Sequence, residues 1–462
     1  MQQINLNPTT LKNSQKTCFP SSQSLWREIM DSAQEKTKEE ERNSKPNNNK
    51  HKKTSNPTEK PAAGKAIKIR VYPTPTQRKT LNEWFDAARW TYNQAVQAIR
   101  NGVPRSKKDL RAKCVNNNNF AEEKTWVPKT PYDIRDEAMN DVLKAYATNF
   151  AMKRKEFTVR FKKKRAEHNS ITLLAKHWKK CGVFHPTEWG KEPLKSSEPL
   201  PEKLSYDARL QRTRLGEFYL CIPRPLVLRP ENQRPEKDDG VSGARVIALD
   251  PGVRTFCTGY DPSGKIFEIG KNDIGRVNRL CHALDKLQSK WTQKDVRHRK
   301  RYKYQRAARR IRKKIRNLVG EFHKKTSRWL CESYDLILLP HFETQQMTTR
   351  ATRRIGSKSA RSMLTWSHYG FRKRLVEKTR EFTHCKVILC DESFTSKTCS
   401  ECGNLNERLG PSKIFKCLMC KQESDRDFNA SRNILLRYLT TTKNMSQPPQ
   451  EVGVESFLLG AP

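Results

Sequence analysis

Residues 246–256 read V-I-A-L-D-P-G-V-R-T-F, and this stretch decides the fold. A short apolar run, residues 246–249, ends at the carboxylate of Asp250, after which Pro251 and Gly252 break the chain. An apolar run of this length between turn residues is typical of a buried strand. Gly252 has no Cβ, so backbone or ligand can approach it closely. The stretch predicts a carboxylate held at the edge of a sheet, although a solvated strand-end aspartate would give the same pattern.

The residues that follow predict a mixed α/β sheet with helices packed on it. Residues 255–260 and 265–269 are strand-like, and the turn D-P-S-G at 261–264 joins them. Proline fixes φ in such a turn and glycine closes it. Further apolar patterns predict helices from 274 to 291 and around 311–329, a strand at 335–339, a helix at 362–382 and a strand at 385–390. This order of elements is typical of an α/β domain.

The charge of the chain predicts a polyanionic partner. The 462 residues include 92 Lys and Arg against 49 Asp and Glu, a formal net charge of +43. Such an excess favours nucleic acid, whose phosphate backbone is the commonest polyanion. No apolar run approaches the length of a membrane span, so we expect no membrane role. The lack of a signal peptide and the odd number of cysteines, 13, favour an intracellular chain with reduced thiols.

Both ends of the chain are predicted to lack a packed core. Residues 1–64 are polar and rich in Asn, Lys, Ser, Thr and Glu, so we expect a disordered tail. The run K-H-K-K at 50–53 is either a nuclear address or ordinary solvated charge. Residues 441–462 are expected to form a flexible tail.

Residues 65–75 and 157–235 predict a small β-barrel that is interrupted by a helical insert, residues 76–156. Apolar residues alternate with charged ones at 66–72 and again at 157–161, as in half-exposed strands. Within the insert, apolar residues recur with helical spacing. The predicted helices of the insert span 76–101 and 133–156.

A basic segment at 298–316 predicts contacts with phosphate. It reads H-R-K-R-Y-K-Y-Q-R-A-A-R-R-I-R-K-K-I-R, with no acidic residue to balance the charge. A charge run is usually a solvated face, but unbalanced charge of this density repels itself and favours a polyanion. The candidate phosphate contacts are Arg299, Arg301, Arg306, Arg309, Arg310, Arg312 and Lys313.

Four cysteines near the end of the chain predict a structural zinc ion. Cys399 and Cys402 form one C-x-x-C pair, and Cys417 and Cys420 form a second pair after a short loop. Each pair lets two thiolates reach one tetrahedral ion, as in a zinc ribbon. Four thiolates leave no open position on the metal, so the zinc is expected to be structural; reduced cysteines without metal are the alternative.

A carboxylate-rich segment follows directly, D-R-D-F-N-A-S-R-N-I at 425–434. An aspartate at a helix start is often only an N-cap. Together with Asp250, however, it offers the oxygen ligands that Mg²⁺ prefers. Two such ions, roughly 4 Å apart, can activate water and stabilise the leaving oxygen of a phosphodiester. The sequence therefore predicts a site for two Mg²⁺ ions.

These motifs together resemble the split RuvC nuclease domain of the TnpB and Fanzor proteins, relatives of type V CRISPR effectors. The resemblance rests on A-L-D-P-G-V-R-T-F at 248–256, T-S-K-T-C-S-E-C-G at 395–403, C-L-M-C at 417–420 and the segment at 425–434. It implies an RNase H-like RuvC domain at 244–394 and 421–440 with a zinc ribbon inserted at 395–420. More weakly, it implies that the upstream barrel and helical insert are the family's wedge and recognition regions.

The resemblance also implies a catalytic Asp-Glu-Asp triad that binds Mg²⁺. Asp250 matches its first member, and Asp427, in the pattern D-x-N-A, matches its last. Asp425 is not followed by this pattern, so it does not match a member of the triad. The middle strand of the family usually ends in Glu-Asp-Leu-Asn with a methionine shortly after. Aligning that methionine with Met347 puts Pro340 where the glutamate should stand.

Two other glutamates can replace the missing one. Glu343 lies just beyond the same strand, and Glu392 ends the next strand. RNase H-like sheets place that strand beside the middle one, and Fanzors with a relocated glutamate resemble this pattern. We therefore prefer Glu392 and keep Glu343 as the alternative.

As a member of this family the chain would be an RNA-guided DNA endonuclease. The implied partners are a guide RNA from its own locus and target double-stranded DNA beside a short adjacent motif, in a monomeric ribonucleoprotein. The long N-terminal tail favours a Fanzor and hence the nucleus; a bacterial TnpB would be cytoplasmic. Two readings compete with this one: an unguided structure-specific nuclease or resolvase, and a zinc-ribbon nucleic-acid binder whose catalytic site has decayed.

Overall fold

The structure is a computed structural model that describes residues 63–116, 126–179, 182–233, 244–351, 353–410 and 412–444. The run at 50–53 and most of both predicted tails lie outside these ranges. The chain divides into two compact units between residues 227 and 228. None of the helices in the described ranges is long and apolar enough to cross a membrane.

The first unit contains one antiparallel sheet and three main helices. Its elements are β1 (Ala63–Val71), α1 (Pro75–Arg100), α2 (Lys107–Cys114), α3 (Tyr132–Ala151), β2 (His168–Leu173), α4 (Pro186–Trp189), β3 (Ala208–Thr213) and β4 (Phe218–Pro225). Helix α1 begins with a capping box between Thr74 and Gln77 and has Pro75 in its first turn. Its apolar face, with Leu81 and Phe85, packs into a core shared with the sheet. Both predicted long helices of this unit are therefore present.

The strands of the first unit form an open sheet in the described residues, whereas the sequence predicted a barrel. The strand order is β1-β4-β3-β2, and the end of β1 also bridges a short segment around Ser196 on its other side. The segment 157–161, predicted as a strand, is a loop. Its backbone bonds to side chains of α1, since Arg100 donates to the Val159 carbonyl (2.9 Å) and Asn93 accepts from the Lys162 amide (2.8 Å). Alternation alone cannot distinguish a strand from a loop whose polar groups are bonded to side chains.

The second unit contains a five-stranded mixed sheet, a long helical hairpin and a small hairpin. Its elements are β5 (Val246–Pro251), β6 (Cys257–Tyr260), β7 (Ile266–Ile269), α5 (Ile274–Thr292), α6 (His298–Ser333), β8 (Leu336–Pro340), α7 (Thr344–Thr348), α8 (Ser357–Trp366), α9 (His368–Thr379), β9 (Lys386–Cys390), β10 (Ile414–Lys416), β11 (Glu423–Asp425) and α10 (Arg426–Asn444). The predicted strands and the first long helix of this unit are confirmed within a few residues. The second long helix, predicted around 311–329, is present but longer, since it spans His298–Ser333.

The large sheet has the strand order β7-β6-β5-β8-β9. Strands β5, β6 and β7 form an antiparallel meander, and β8 and β9 are parallel to β5. Side chains of β5 alternate between two cores: Ile247 and Leu249 face helices α6 and α9, whereas Val246 and Ala248 face α10. Burial on both faces explains why this strand is continuously apolar.

The helix predicted at 362–382 is two helices, α8 and α9, with a break at Ser367. This residue has a left-handed backbone, with φ of 52°. The break lets the Trp366 indole donate to the Val253 carbonyl (3.0 Å) while the Trp366 carbonyl pairs with a ring nitrogen of His323 (2.9 Å). Helical periodicity continues across the break, so the pattern did not reveal it.

Candidate active site and zinc cluster

The carboxyl ends of three neighbouring parallel strands meet at one edge of the large sheet. Ala248 of β5 pairs with Leu338 of β8, and Pro340 at the end of β8 pairs with Cys390 of β9. Continuing this register places Asp250, at the end of β5, level with Pro340. The middle strand thus offers no carboxylate at this level, as the sequence indicated.

Two carboxylates lie close enough to Asp250 at this edge to raise its pKa. Burial raises the pKa of Asp250 well above its usual range, and the charges of Asp427 and Glu392 raise it further. Burial, followed by the charge of Asp391, raises the pKa of Glu392. The structure therefore brings together the three residues that the sequence favoured, Asp250, Glu392 and Asp427.

The alternative glutamate is placed differently. Glu343 is exposed just before the short helix α7, and its charge favours the charged form of Arg372, against the burial that lowers the pKa of that residue. It is absent from the charges that raise the pKa of Asp250. Within the described residues, the electrostatic environment of Asp250 supports Glu392 as the third carboxylate.

The loop that carries Glu392 is attached to helix α10. Arg437 of α10 donates to the Ser393 carbonyl (2.6 Å) and forms an ion pair with Asp391. Asn433, one turn earlier on the same helix, donates to the Thr395 carbonyl (2.8 Å). One helix therefore positions Asp427 at its start and the Glu392 loop along its length.

Asp425 and Asp427 have separate roles at the start of α10. The Asp425 carboxylate accepts hydrogen bonds from the backbone amides of Asp427 (2.9 Å) and Phe428 (3.2 Å), so Asp425 is the N-cap. Asp427 is exposed to solvent, yet partial desolvation by surrounding protein and the Asp425 charge raise its pKa. Because Asp425 caps the helix, the Asp427 carboxylate is not needed as the N-cap and can take part in the site.

The turn after Asp250 is fixed by close backbone packing. A Cβ on Gly252 would lie 2.6 Å from the Thr255 carbonyl oxygen, so only glycine fits there without a shift. His368 bonds to the backbone of Gly252, and its ring stacks on Phe256 with centroids 4.6 Å apart. Burial lowers the pKa of His368 to about 4, so this ring is neutral at physiological pH. In this structure the glycine is needed for the close backbone packing within the turn.

Three cations near the carboxylates were not predicted from the sequence. The charges of Arg426, Lys413 and Arg254 each lower the pKa of Asp427, against the burial that raises it. Arg254 and Arg426 lie inside the quoted motifs, but nothing in the sequence shows that Lys413, near the β10–β11 hairpin, approaches the end of β5. These cations add positive potential where a phosphate group would approach.

The four predicted zinc ligands form one cluster. The Sγ atoms of Cys399, Cys402, Cys417 and Cys420 all lie within 4.8 Å of one another. The Cys399–Cys420 and Cys402–Cys417 pairs are 3.7 and 3.5 Å apart. A tetrahedral ion with Zn–S bonds of about 2.3 Å would place its sulfurs about 3.8 Å apart, so the geometry fits zinc.

The cysteine cluster is also attached to helix α10. Asn429 donates to the Thr398 carbonyl (2.7 Å), and its side-chain oxygen accepts from the Ser400 amide (2.9 Å). Asn429 is buried and lies two residues after Asp427. Sequence reasoning did not assign this asparagine, although it lies in the D-x-N-A pattern.

The basic segment occupies the first half of α6 and is only partly free for phosphate. Arg301 donates to the carbonyls of Gln293 (3.2 Å) and Lys294 (3.4 Å), which closes the turn between α5 and α6. Arg312 lies over the Trp291 ring, 5.8 Å from its centroid. Of the other candidates, the exposed residues are Arg299, Arg306 and Arg310, and the half-buried residues are Arg309 and Lys313. The phosphate contacts stay a prediction.

Comparison with known proteins gives two family matches and several relatives. Residues 368–434 match the Cas12f1-like, TNB domain, and residues 64–108 match a helix-turn-helix domain. The chain is 29% identical to the putative transposase A625R of Paramecium bursaria Chlorella virus 1, over 81% of this chain and 87% of the relative. It is 26% identical to the TnpB-like protein L79 of Acanthamoeba polyphaga mimivirus, over 84% and 75%.

A third relative is the CRISPR-associated endodeoxyribonuclease Cas12f1 of Sulfoacidibacillus thermotolerans, 35% identical over 27% of this chain and 29% of that protein. The sheet order and the carboxylates at its edge define a RuvC-like α/β domain with a cysteine cluster inserted before its last helix. These matches and relatives support a TnpB/Fanzor-type family for this chain, as its motifs predicted.

Proposed function

We propose that this protein is an RNA-guided DNA endonuclease whose active site is Asp250, Glu392 and Asp427. The observation that carries the proposal is the convergence of these three carboxylates at one sheet edge, where burial and then the charges of Asp427 and Glu392 raise the pKa of Asp250. Clustered carboxylates of like charge are costly unless a cation is bound between them. The Cas12f1 relative, named as an endodeoxyribonuclease, supports the nuclease activity.

The donor set fits Mg²⁺, which prefers oxygen ligands and keeps positions for water and substrate phosphate. Asp250, Glu392 and Asp427 would hold two such ions. When bound, the ions supply an activated water and stabilisation of the leaving oxygen of a phosphodiester. The protein itself positions the carboxylates: β5 fixes Asp250, the N-cap frees Asp427, and Arg437 holds the Glu392 loop.

The proposed partners are a guide RNA from the protein's own locus and a target DNA duplex. The formal charge of +43 supports a large polyanionic partner. We propose that the first unit reads a short motif beside the target and that the particle is a monomeric ribonucleoprotein. As in a Fanzor, the place of action would be the nucleus.

An unguided nuclease is the second candidate. The match of residues 64–108 to a helix-turn-helix domain favours it, because such domains read duplex DNA directly. The decayed binder has less support, because Glu392 supplies the carboxylate that Pro340 lacks.

The decisive experiment is to express the protein with its flanking locus, purify it and sequence the RNA that remains bound. We expect one RNA species with a constant scaffold and a locus-derived end. DNA matching that end should be cut in Mg²⁺ by the wild type and left intact by Asp250→Ala. Mg²⁺-dependent cutting without any defined RNA would favour the unguided nuclease, and no cutting at all would favour the decayed binder.

A further inference from the structure

Phe394 is an exposed aromatic residue in a strained backbone conformation, two residues after Glu392. Its side chain is 60% exposed, and its φ is 62°. A bulky residue rarely adopts the left-handed region, and such strain is concentrated at functional sites. Neither burial nor an easy backbone conformation explains a phenylalanine at this position.

The backbone around Phe394 is held firmly while its ring is left in solvent. The Phe394 carbonyl accepts hydrogen bonds from the amides of Lys397 (2.9 Å) and Thr398 (3.0 Å). On the other side, the Ser393 carbonyl accepts from Arg437 of α10 (2.6 Å). The ring is therefore presented to solvent from an anchored loop, two residues beyond Glu392.

A second phenylalanine shows what a structural role looks like at this sheet edge. Phe342, which follows β8, also has a left-handed backbone, with φ of 27°. Its ring packs against His368 with centroids 4.8 Å apart. Among the described residues, Phe394 is the one large apolar side chain that is both exposed and left-handed.

We propose that the Phe394 ring is a stacking platform for one unpaired base of the DNA strand being cut. The proposal rests on the proposed nuclease function. A stacked base would fix its neighbouring phosphate at Asp250, Glu392 and Asp427, and every base offers a face for stacking, so the contact needs no sequence. A phenylalanine ring has only two side-chain torsions to order, which keeps the entropic cost small. Arg254, an exposed cation near Asp427, is suited to the adjoining phosphate.

The test compares Phe394→Ala, Phe394→Leu and Phe394→Trp in the full chain with the RNA that co-purifies with it. Loss of one stacked base costs about tenfold in binding or more. We therefore expect the Ala and Leu variants to cleave limiting DNA about tenfold more slowly, while Trp retains activity. Leu keeps the apolar side chain and loses only the ring face, so wild-type cleavage by Phe394→Leu would overturn the proposal.

A binding assay separates this proposal from the nuclease function. The probe is single-stranded DNA containing 2-aminopurine, added to protein with the Asp250→Asn substitution, which cannot cut. Stacking quenches the probe, and Phe394→Ala should restore its fluorescence. If the wild type does not cleave but this quenching depends on Phe394, the nuclease function fails and the platform stands. If the wild type cleaves and the quenching does not depend on Phe394, the platform is wrong.

Thermal unfolding distinguishes stacking from a structural role. Leu364 of α8 is equally exposed, at 60%, and Leu364→Ala is the matched control for loss of exposed apolar surface. Phe394→Gly relieves the left-handed backbone, so it should unfold at the same or a higher temperature while cleaving slowly. If the Phe394→Ala protein unfolds at a lower temperature than the Leu364→Ala protein, Phe394 has a structural role and the proposal is wrong.

Discussion

At the scale of the residue, Glu392 and Glu343 are separated by their environments. Besides burial, the charge of Glu392 raises the pKa of Asp250. Glu343 is exposed, and its charge instead opposes the burial that lowers the pKa of Arg372. Removing a metal-binding carboxylate costs several kcal/mol of transition-state stabilisation, roughly a hundredfold or more in rate. We expect Glu392→Gln to lose DNA cleavage by that factor and Glu343→Gln to cleave normally. Cleavage time courses in Mg²⁺ measure both, and full activity of Glu392→Gln would refute the assignment.

Asp250 is predicted to destabilise the metal-free protein. An acid whose pKa is raised by folding favours its neutral form, so its charge lowers stability increasingly as pH rises above the ordinary carboxyl pKa. In chelator at pH 8, Asp250→Asn should therefore unfold at a higher temperature than the wild type, and the gain should shrink towards pH 4. Asp295→Asn, at an exposed position, is the control. If the wild type and Asp250→Asn are equally stable at pH 8, the negative charge of Asp250 is already balanced by other groups of the protein.

At the scale of the element, Arg437 is predicted to position Glu392 without touching DNA. It joins α10 to the loop through Ser393 and Asp391. Residues that orient metal ligands typically contribute 10- to 100-fold. Arg437→Ala should lower the cleavage rate by about that factor and weaken Mg²⁺ dependence, while DNA affinity is kept.

The matched control for Arg437 is Arg328→Ala. Arg328 forms an exposed pair with Glu332 on α6, and such pairs contribute little to stability. This variant should cleave at the wild-type rate and unfold like the Arg437→Ala protein. A loss of DNA affinity in Arg437→Ala would show that Arg437 contacts nucleic acid instead.

The zinc ribbon is predicted to support the active site through helix α10. Because Asn429 and Asn433 bond to the backbone just before and within the cysteine cluster, loss of zinc should disturb the helix that carries Asp427. We expect one zinc per chain by elemental analysis. Cys402→Ser should lose both zinc and cleavage, whereas Cys221→Ser, at a cysteine in the other unit, should keep both. Cleavage by a zinc-free protein would contradict this coupling.

At the scale of the whole molecule, the charge of +43 predicts binding of RNA that weakens steeply with salt. Each phosphate contact contributes about 0.7 to the slope of log affinity against log salt for a single strand. Arg306→Gln combined with Arg310→Gln should therefore reduce the slope by about 1.4. The matched control replaces Arg229 and Arg328, which glutamates already neutralise. If the slope is unchanged in the double variant, this part of α6 does not contact the RNA.

The elements that the sequence predicted correctly are those with a strong local pattern. The strand before Asp250 is buried on both faces, and the long helix α1 has one continuous apolar face, so each reveals itself in its own residues. The cysteine cluster was predictable for the same reason, because spacing alone brings each pair of thiolates to one ion.

The features that were missed depend on residues far apart in the chain. The segment 157–161 alternates, yet its hydrogen bonds go to side chains of α1. Lys413 approaches Asp427 only because the β10–β11 hairpin folds back towards the start of α10. The preference for Glu392 over Glu343 also depended on distant residues, because both glutamates follow a buried strand and only the strand order implied by the family resemblance separated them.

The position of the ribbon in the chain also governs what an unfinished protein can do. Glu392 is translated before the cysteines and Asp427 after them, so a ribosome that stalls in between releases a product with two of the three carboxylates. That product also lacks Ile434 and Leu435, which cover the sheet face of Val246 and Ala248. Incomplete chains would thus lack the complete proposed catalytic site and would expose apolar surface, which makes them substrates for cellular proteases.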